Sequence, residues 1–243
     1  MAKLAPTKKP PPKPSVATLL DHLESFYGPQ QPTWPIDPYL FLIWWHCGYP
    51  ASDAACAKGW QALNATVGTD PEALLTASPD TLAAALKPGG MVPELRAMRL
   101  KEIALRVKNE CNGDLHAVLH GPVDKAISLL RKFPNIAVPG ADRILLFGHI
   151  APIAAIPSNC PQVLVRIMLG CERENYTVTY NEAQDLVATN IPANFDACTR
   201  AYLLLKQHGQ TLCKRTKPKC EQCPVNTSCA FFAGKTRGRS ALP

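Results

Sequence analysis

Apolar residues recur every three to four positions along most of this chain, with polar residues between them. The segment SVATLLDHLESFYG follows this pattern, with Ser15 as a candidate N-cap and Gly28 as a stop. The segment DPYLFLIWWHCG is apolar all round, which predicts a central, buried helix. No convincing strand alternation interrupts the pattern, and about ten helices with short connectors account for the chain. The sequence therefore predicts an all-α fold.

The middle of the chain continues the helical pattern. DPEALLTASPDTLAAALKPGG predicts two short helices, each opened by a proline with an acidic residue beside it. VPELRAMRLKEIALRVKNECNG predicts a long, basic, amphipathic helix. Five further helices are predicted, in PVDKAISLLRKF, ADRILLFGHI, CPQVLVRIMLG, YNEAQDLVATNI and FDACTRAYLLLKQHG.

Composition and charge narrow the class of protein. The 243 residues, 47% of them hydrophobic, suffice for one large domain or two small ones. The formal net charge of +7 suits a polyanion such as nucleic acid or an acidic membrane surface. The first residues lack the apolar core of a secretion signal, and no apolar run is long enough to span a bilayer. We therefore expect no membrane segment and a cytoplasmic, nucleoid-associated location.

Four of the ten cysteines lie close together near the end of the chain. Cys213, Cys220, Cys223 and Cys229 have the spacing C-x6-C-x2-C-x5-C. In a reducing compartment, clustered cysteines bind metal more often than they form disulfides. Zinc and a four-iron cluster both accept four thiolates, so the spacing leaves these two groups open.

The stretch KQHGQTLCKRTKPKCEQC resembles the iron–sulfur loop of the endonuclease III family, within the helix–hairpin–helix DNA glycosylase superfamily. The resemblance implies a [4Fe–4S] cluster, largely structural, held by the same four cysteines. It also implies that the loop between the first two cysteines lies against DNA phosphates. That loop carries four cations suited to this contact, Lys214, Arg215, Lys217 and Lys219.

The resemblance extends from about residue 15 to residue 232. PYLFLIWWHCGYPASD resembles the first barrel helix of the family and the turn after it. Where the family places a glutamine that fills the gap left by an everted base, this chain has Pro50, preceded by Tyr49. LKPGGMV resembles the second DNA-probing loop of the family. Met91 is therefore a candidate intercalating side chain, with packing into the core as the alternative.

The stretch FPNIAVPGADRILLFG aligns on the family hairpin, LPGxGxKTA. The resemblance implies DNA contact through Asn135, Ile136 and Ala137. Asn135 and Ala137 replace two glycines that turn backbone N–H groups toward a phosphate in a left-handed conformation. Asparagine tolerates that conformation and alanine does so poorly, so a weakened phosphate grip is expected.

Both residues that carry the family's chemistry are missing at the matching positions. Pro139 stands where bifunctional members have the nucleophilic lysine, and Pro157 stands where they have the aspartate. Alternative registers place Asn159 or Ile144 at these positions, and both are equally inert. Asp142 is the nearest carboxylate and a weak substitute candidate, since an acid at the start of a helix more often charges or caps it.

The predicted architecture has two helical lobes with a DNA cleft between them. A six-helix domain with the hairpin covers 36–150, and the cluster domain joins 15–35 to 151–233. A disordered basic tail (1–14) and a flexible tail (234–243) flank them. The predicted function is that of a monomeric, endonuclease III-like protein that binds double-stranded DNA and lacks ordinary glycosylase and lyase chemistry. Two alternatives stay open: an active monofunctional glycosylase with a relocated catalytic group, and a cluster-bearing redox or interaction protein that does not bind DNA.

Overall fold

The computed structural model describes residues 15–239, and within this range it contains helices and no strand. The predicted all-α fold class is confirmed. The described residues form two compact units. The first unit comprises 15–30, 156–193 and 200–239, and the second unit comprises 31–155 and 194–199. Across 15–239, no helix is long and apolar enough to cross a membrane. The predicted tail at 1–14 lies outside the described residues.

The α-helices are, in chain order, α1 Val16–Tyr27, α2 Pro38–His46, α3 Asp53–Thr66, α4 Pro71–Thr76, α5 Pro79–Leu86, α6 Pro93–Glu110, α7 Leu115–Leu119, α8 Val123–Leu130, α9 Val138–Phe147, α10 Gln162–Leu169, α11 Tyr176–Asn190, α12 Phe195–Thr211 and α13 Ala230–Arg239. Three short 3-10 helices cover Lys87–Gly89, Cys220–Gln222 and Asn226–Ser228.

Local capping signals set several of the helix ends. The backbone N–H of Thr18 donates to the Ser15 hydroxyl at 3.1 Å, and Gly28 ends α1 at φ 73°. Asp70 accepts from the first turn of α4, and Ser78 accepts from Thr81 at the start of α5. Both of these short helices have a proline in their first turn, where its missing N–H costs nothing. The predictions for these three helices are confirmed.

The buried helix predicted from DPYLFLIWWHCG is α2, and it lies in the core of the second unit. Phe41 and Trp44 are both at most 3% exposed. Their rings help to enclose the guanidinium of Arg143, which lies 3.9 Å from the Trp34 ring centroid and 4.8 Å from that of Phe41. A planar cation on aromatic faces keeps part of the electrostatic stabilisation that it loses on leaving water. The second unit thus has an aromatic core built around a cation.

Two boundaries differ from the predicted domains. Residues 31–35 and 151–155 belong to the second unit, although the sequence grouped them with the cysteine-bearing helices. The reason is long-range packing, because the Trp34 ring meets the Phe147 ring edge-on with 5.1 Å between centroids. Residues 194–199 also join the second unit, where the Phe195 ring lies 4.9 Å from the His149 ring. Such contacts carry no local signal in the sequence.

Part of the segment predicted as a flexible tail, 234–239, is helical, and its last residues, 240–243, lie outside the described residues. Helix α13 begins directly after Cys229 and continues to Arg239. The segment AFFAGKTRGR contains no proline, and each of its two glycines costs a helix only about 1 kcal/mol relative to alanine. The composition of this segment therefore permits the helix.

Candidate functional site

A chain of short backbone turns brings three of the four clustered cysteines to one side. The N–H of Cys223 donates to the carbonyl of Cys220, that of Asn226 to Cys223, and that of Cys229 to Asn226, each at 3.2 Å. These are successive i to i+3 bonds, and side chains three residues apart eclipse in such a geometry. The x2 and x5 spacings of the motif therefore place Cys220, Cys223 and Cys229 on a common side.

The fourth cysteine, Cys213, follows the end of α12. Its N–H donates to the carbonyl of His208 at 2.9 Å, and the N–H of Lys219 then returns to the carbonyl of Leu212 at 2.9 Å. The loop between Cys213 and Cys220 is closed in this way. All four cysteines line a single cavity of about 20 Å³, together with apolar neighbours that include Ile167 and Phe231.

Burial favours the neutral form of three of these thiols. Burial raises the pKa of Cys213 and of Cys223 to about 11, and it also raises the pKa of Cys229. A metal group that binds here must therefore displace protons. Within the described part of the chain, no three His, Cys, Asp or Glu side chains lie close enough to share one metal ion. Zinc and an iron–sulfur cluster both accept four thiolates, so this donor set suits either group.

A hydrogen-bonded chain leads from α1 to one of these thiols. The Thr211 hydroxyl donates to the carbonyl of Gln207, so Tyr27 donates to Thr211 at 3.0 Å. His208 Nδ1–H then donates to the Tyr27 oxygen at 2.9 Å, and His208 Nε2 faces Cys223 Sγ at 3.6 Å. Burial lowers the pKa of His208 to about 4, so the ring is neutral at physiological pH. This chain fixes the orientation of the ring beside the cavity.

The four cations predicted to face DNA are all exposed in the loop 213–219. Arg166, which is 4% exposed, holds the backbone of this loop from α10. Its guanidinium donates to the carbonyls of Lys214 at 2.9 Å and Arg215 at 3.0 Å, and it pairs with Glu172 at 2.6 Å. The role of Arg166 was not predicted, although a lone cation in the apolar run QVLVRIML is a detectable signal.

In the second unit, the hairpin between α8 and α9 has one left-handed residue at the two positions where the family has glycine. Asn135 adopts φ 57°, as its tolerance of that region predicts. Ala137 is extended at φ −96° and ψ −179°, so it avoids the conformation that alanine disfavours. Ile136, between these two positions, is largely buried, and its predicted contact with DNA stays a prediction. Its side chain is only 6% exposed and its N–H donates to the carbonyl of Phe133 at 3.3 Å.

Two neighbouring helices hold the hairpin. His46 on α2 lies 2.9 Å from the carbonyl oxygen of Pro134 through Nε2 and 2.8 Å from that of Leu42 through Nδ1. Arg99 on α6 donates to the Asn135 amide oxygen at 2.8 Å, with the amide oriented so that its oxygen faces the guanidinium. The Asn135 side chain is thus used to fix the turn.

The start of α9 is poor in donors for a phosphate. Pro139 has no N–H, and the N–H groups of Gly140 and Ala141 both donate to the carbonyl of Ala137 at 3.0 Å. The family hairpin uses backbone N–H groups at this end of the helix, as the sequence comparison implies. A weaker phosphate grip at the hairpin is therefore consistent with the local hydrogen bonding.

The positions matched to catalytic residues carry no reactive group. Pro139 is half-buried in the first turn of α9, and Pro157 is buried ahead of the exposed Ser158 and Asn159. Asp142, the substitute candidate, is only 2% exposed. A carboxylate enclosed in this way does not present an oxygen at the surface of the second unit.

The two other predicted DNA-probing segments are both in the second unit. Met91 is 80% exposed, so it does not pack into the core. Pro50 is exposed, Tyr49 is half-buried against the Trp45 ring at 4.8 Å between centroids, and the bond between Tyr49 and Pro50 is cis. Arg96, which bonds to both segments, was missed because it stands among several other cations of the amphipathic segment.

An all-helical fold with a helix–hairpin–helix in one unit and a cysteine-lined cavity in the other defines a known class. It is the fold of the helix–hairpin–helix DNA glycosylases. The solved structure of an endonuclease III–DNA complex has a TM-score of 0.71, with 17% identity, and covers 91% of this chain and 97% of that one. A thermostable thymine-DNA glycosylase has a TM-score of 0.70, with 20% identity, and covers 90% and 97%.

The sequence comparison finds relatives within this class, among them an endonuclease III and an adenine DNA glycosylase of Mus musculus that is 27% identical over 155 residues, which are 61% of this chain and 27% of that relative. Endonuclease III of Thermotoga maritima is 25% identical over 202 residues, which are 83% of this chain and 87% of the relative. No family model matches the chain. The resemblance to the endonuclease III family is confirmed by sequence and by fold.

Proposed function

We propose that this protein binds double-stranded DNA in the manner of base-excision-repair proteins and carries a [4Fe–4S] cluster on Cys213, Cys220, Cys223 and Cys229. We further propose that it lacks ordinary glycosylase and lyase chemistry, because Pro139 and Pro157 stand at the two catalytic positions. The observation that carries the proposal is the combination of four cysteines that line one cavity with prolines at both of these positions.

The cluster proposal rests on the donor set and its cavity. Four cysteines line one cavity, and their spacing resembles that of the iron–sulfur loop of the endonuclease III family. Endonuclease III homologues generally carry such a cluster. When bound, the cluster would cross-link the end of α12 to the start of α13 and so brace the basic loop. Arg166 supports the same loop through the carbonyls of Lys214 and Arg215.

The DNA-binding proposal rests on the exposed cations of the loop 213–219 and on the similarity of this fold to a DNA-binding protein. The loop 213–219 exposes four cations on a backbone that a buried arginine holds in place. Fixed cations release counterions from DNA without a large ordering cost. One of the similar solved structures is a complex of endonuclease III with DNA. Met91 and Pro50 expose apolar groups of the kind that fill a gap in a base stack.

The absence of ordinary chemistry follows from the side chains themselves. A lyase needs an amine that attacks the sugar C1′ and forms a Schiff base, and a proline in the chain has no amine. Glycosylase chemistry needs a charge that stabilises the cationic sugar, and proline has none. The burial of Asp142 argues against the alternative of a relocated carboxylate. What these residues retain is the capacity to bind and shape DNA.

The cluster is tested by anaerobic purification with iron analysis and visible absorbance. We expect about four iron atoms per chain and a brown protein. Cys220→Ser should lose most of the iron, whereas Cys171→Ser, an exposed cysteine outside the cavity, should retain it. A colourless, iron-free wild-type protein, or zinc in its place, would contradict the cluster.

DNA binding is tested by a salt titration with labelled duplex. Removal of Lys214 and Lys217 should reduce the slope of log affinity against log salt by about one for each lysine. Lys108→Ala is the matched control, because Glu72 already pairs with that ammonium at 2.7 Å. If duplex does not bind, the protein is better described by the redox or interaction alternative, and if the three lysine changes act alike, the loop 213–219 is not the DNA contact.

A further inference from the structure

Arg96 is a buried cation that bonds only to backbone carbonyls. It lies in the first turn of α6 and is 1% exposed. Its guanidinium donates to the carbonyl of Leu86 at 3.0 Å, Gly90 at 2.7 Å and Met91 at 3.0 Å. It also donates to the carbonyl of Cys47, at the end of α2. One side chain thus bonds to the loop that carries Met91 and to the turn that leads to Tyr49 and Pro50.

Glycines let the two segments approach each other closely at this point. A methyl group added to Gly89 would overlap the Cys47 carbonyl oxygen and would lie 2.6 Å from Arg96 Nη1. A methyl group on Gly59 of α3 would overlap the same carbonyl oxygen. Only glycine fits at these positions without moving the backbone, so the loop and the turn are locked together around one peptide group.

The loop also holds a residue in a conformation that its side chain disfavours. Val92 has φ 48° and ψ 54°, in the left-handed region that β-branched residues avoid. A backbone of this kind persists only where its surroundings over-determine it. Arg96 supplies that constraint with its backbone and with its side chain. Its N–H donates to the Val92 carbonyl at 3.2 Å, and its guanidinium donates to the Met91 carbonyl.

We propose that Arg96 is a positioning residue for DNA, which presents Met91 and the turn at Tyr49 and Pro50 as one preorganised surface. The inference rests on the proposed function, in which these segments contact duplex DNA. A surface that is rigid before binding does not pay the ordering cost of a mobile loop. A planar fork of five donors is needed for four carbonyls, and lysine has only three donors on a single point.

Methionine-methyl NMR tests the positioning step without DNA. The chain has four methionines, so selective carbon-13 labelling gives few signals, and a Met91→Leu variant assigns one of them. In Arg96→Lys, the Met91 methyl signal should shift and narrow, while Met98 and Met168 keep their positions. Arg99→Lys is the matched control, because Arg99 lies one turn further along α6 and bonds to the hairpin. An unchanged Met91 signal in Arg96→Lys would overturn the proposal.

Affinity for duplex with a single abasic site tests the functional step. Arg96→Lys should bind about tenfold more weakly, with the salt slope unchanged because the buried guanidinium touches no phosphate. The loss should be clearly smaller when Met91→Ala is already present, since part of it acts through Met91 and the rest acts through the turn at Tyr49 and Pro50. Additive losses, or wild-type affinity in Arg96→Lys, would overturn the proposal.

Duplex binding by the wild-type protein tests the proposed function, whereas the Met91 methyl signal tests the role of Arg96. If the wild-type protein does not bind duplex, DNA binding is wrong, and the NMR comparison alone then shows whether Arg96 orders the Met91 loop. Should Arg96→Lys not fold, Gly89→Ala answers the same question, because it keeps the guanidinium and separates the loop from Cys47. If the Met91 methyl signal of Gly89→Ala has the same position and linewidth as in the wild-type protein, the proposal is contradicted.

Discussion

An amine restored at position 139 should regain the first covalent step of a lyase. Pro139→Lys places a primary amine in the first turn of α9, where the family resemblance puts the nucleophile. An abasic site already presents an aldehyde, so a Schiff base needs no base removal, and borohydride traps it as a stable adduct. We expect a covalent protein–DNA band with Pro139→Lys that the wild-type protein does not give.

The cost of this substitution to stability should be small. Loss of the proline ring frees the unfolded chain by about 0.4–1 kcal/mol. A cation at the start of α9 opposes the helix dipole by about 0.3–1 kcal/mol. The sum, about 1–2 kcal/mol, lowers the melting temperature by roughly 2–8 °C for a chain of this length. The same dipole lowers the pKa of the new amine, which increases the fraction able to attack.

Val138→Lys is the matched control for this experiment. It adds the same charge one residue earlier, at a position that is 37% exposed, but directs the side chain about 100° away around the helix. We expect little or no adduct from this variant at equal DNA occupancy. Equal trapping by both variants, or no trapping by either while both bind DNA, would contradict the assignment of position 139.

Three further predictions concern the interior. Cys223→Ser should lose bound iron while Cys171→Ser retains it, by iron analysis; equal retention would exclude Cys223 as a ligand. Burial lowers the pKa of His46 from 6.5 to about 4, so the unfolded chain binds more protons in that window. Stability should therefore fall as pH falls from 6.5 toward 4, by less than burial alone would give because both ring nitrogens face carbonyl oxygens, and His46→Gln should flatten the urea-derived profile. Gly209→Ala places a methyl 2.8 Å from Cys160 Sγ and should cost about 1–3 kcal/mol in urea denaturation, whereas Gly121→Ala, with open space around it, should change stability by less than about 0.5 kcal/mol.

The sequence predicts those features that local chemistry controls. Ser15 and Gly28 mark the two ends of α1 because a cap and a left-handed stop act within a few residues. The apolar run around Trp44 predicts burial because no face of such a helix can be left in water. The spacing of the late cysteines predicts their convergence because short turns eclipse side chains three residues apart.

Features that depend on distant contacts escape a sequence-based prediction. Trp34 joins the second unit because it packs on Phe147, which lies far along the chain. The extended conformation of Ala137 depends on how the hairpin is held and not on its own propensity. The role of Arg96 depends on four carbonyls from two segments, and no local pattern separates it from the exposed cations of α6.

Borohydride trapping of the iron-loaded wild-type protein on abasic duplex, at salt concentrations between about 50 and 200 mM, bears on the whole proposal. Each sample is divided, so that one half reports the bound fraction and the other half is reduced. We predict binding that weakens steeply with salt and no covalent band at any occupancy. A covalent band from the wild-type chain would show that an amine reaches the abasic sugar and would contradict the proposed loss of lyase chemistry at Pro139.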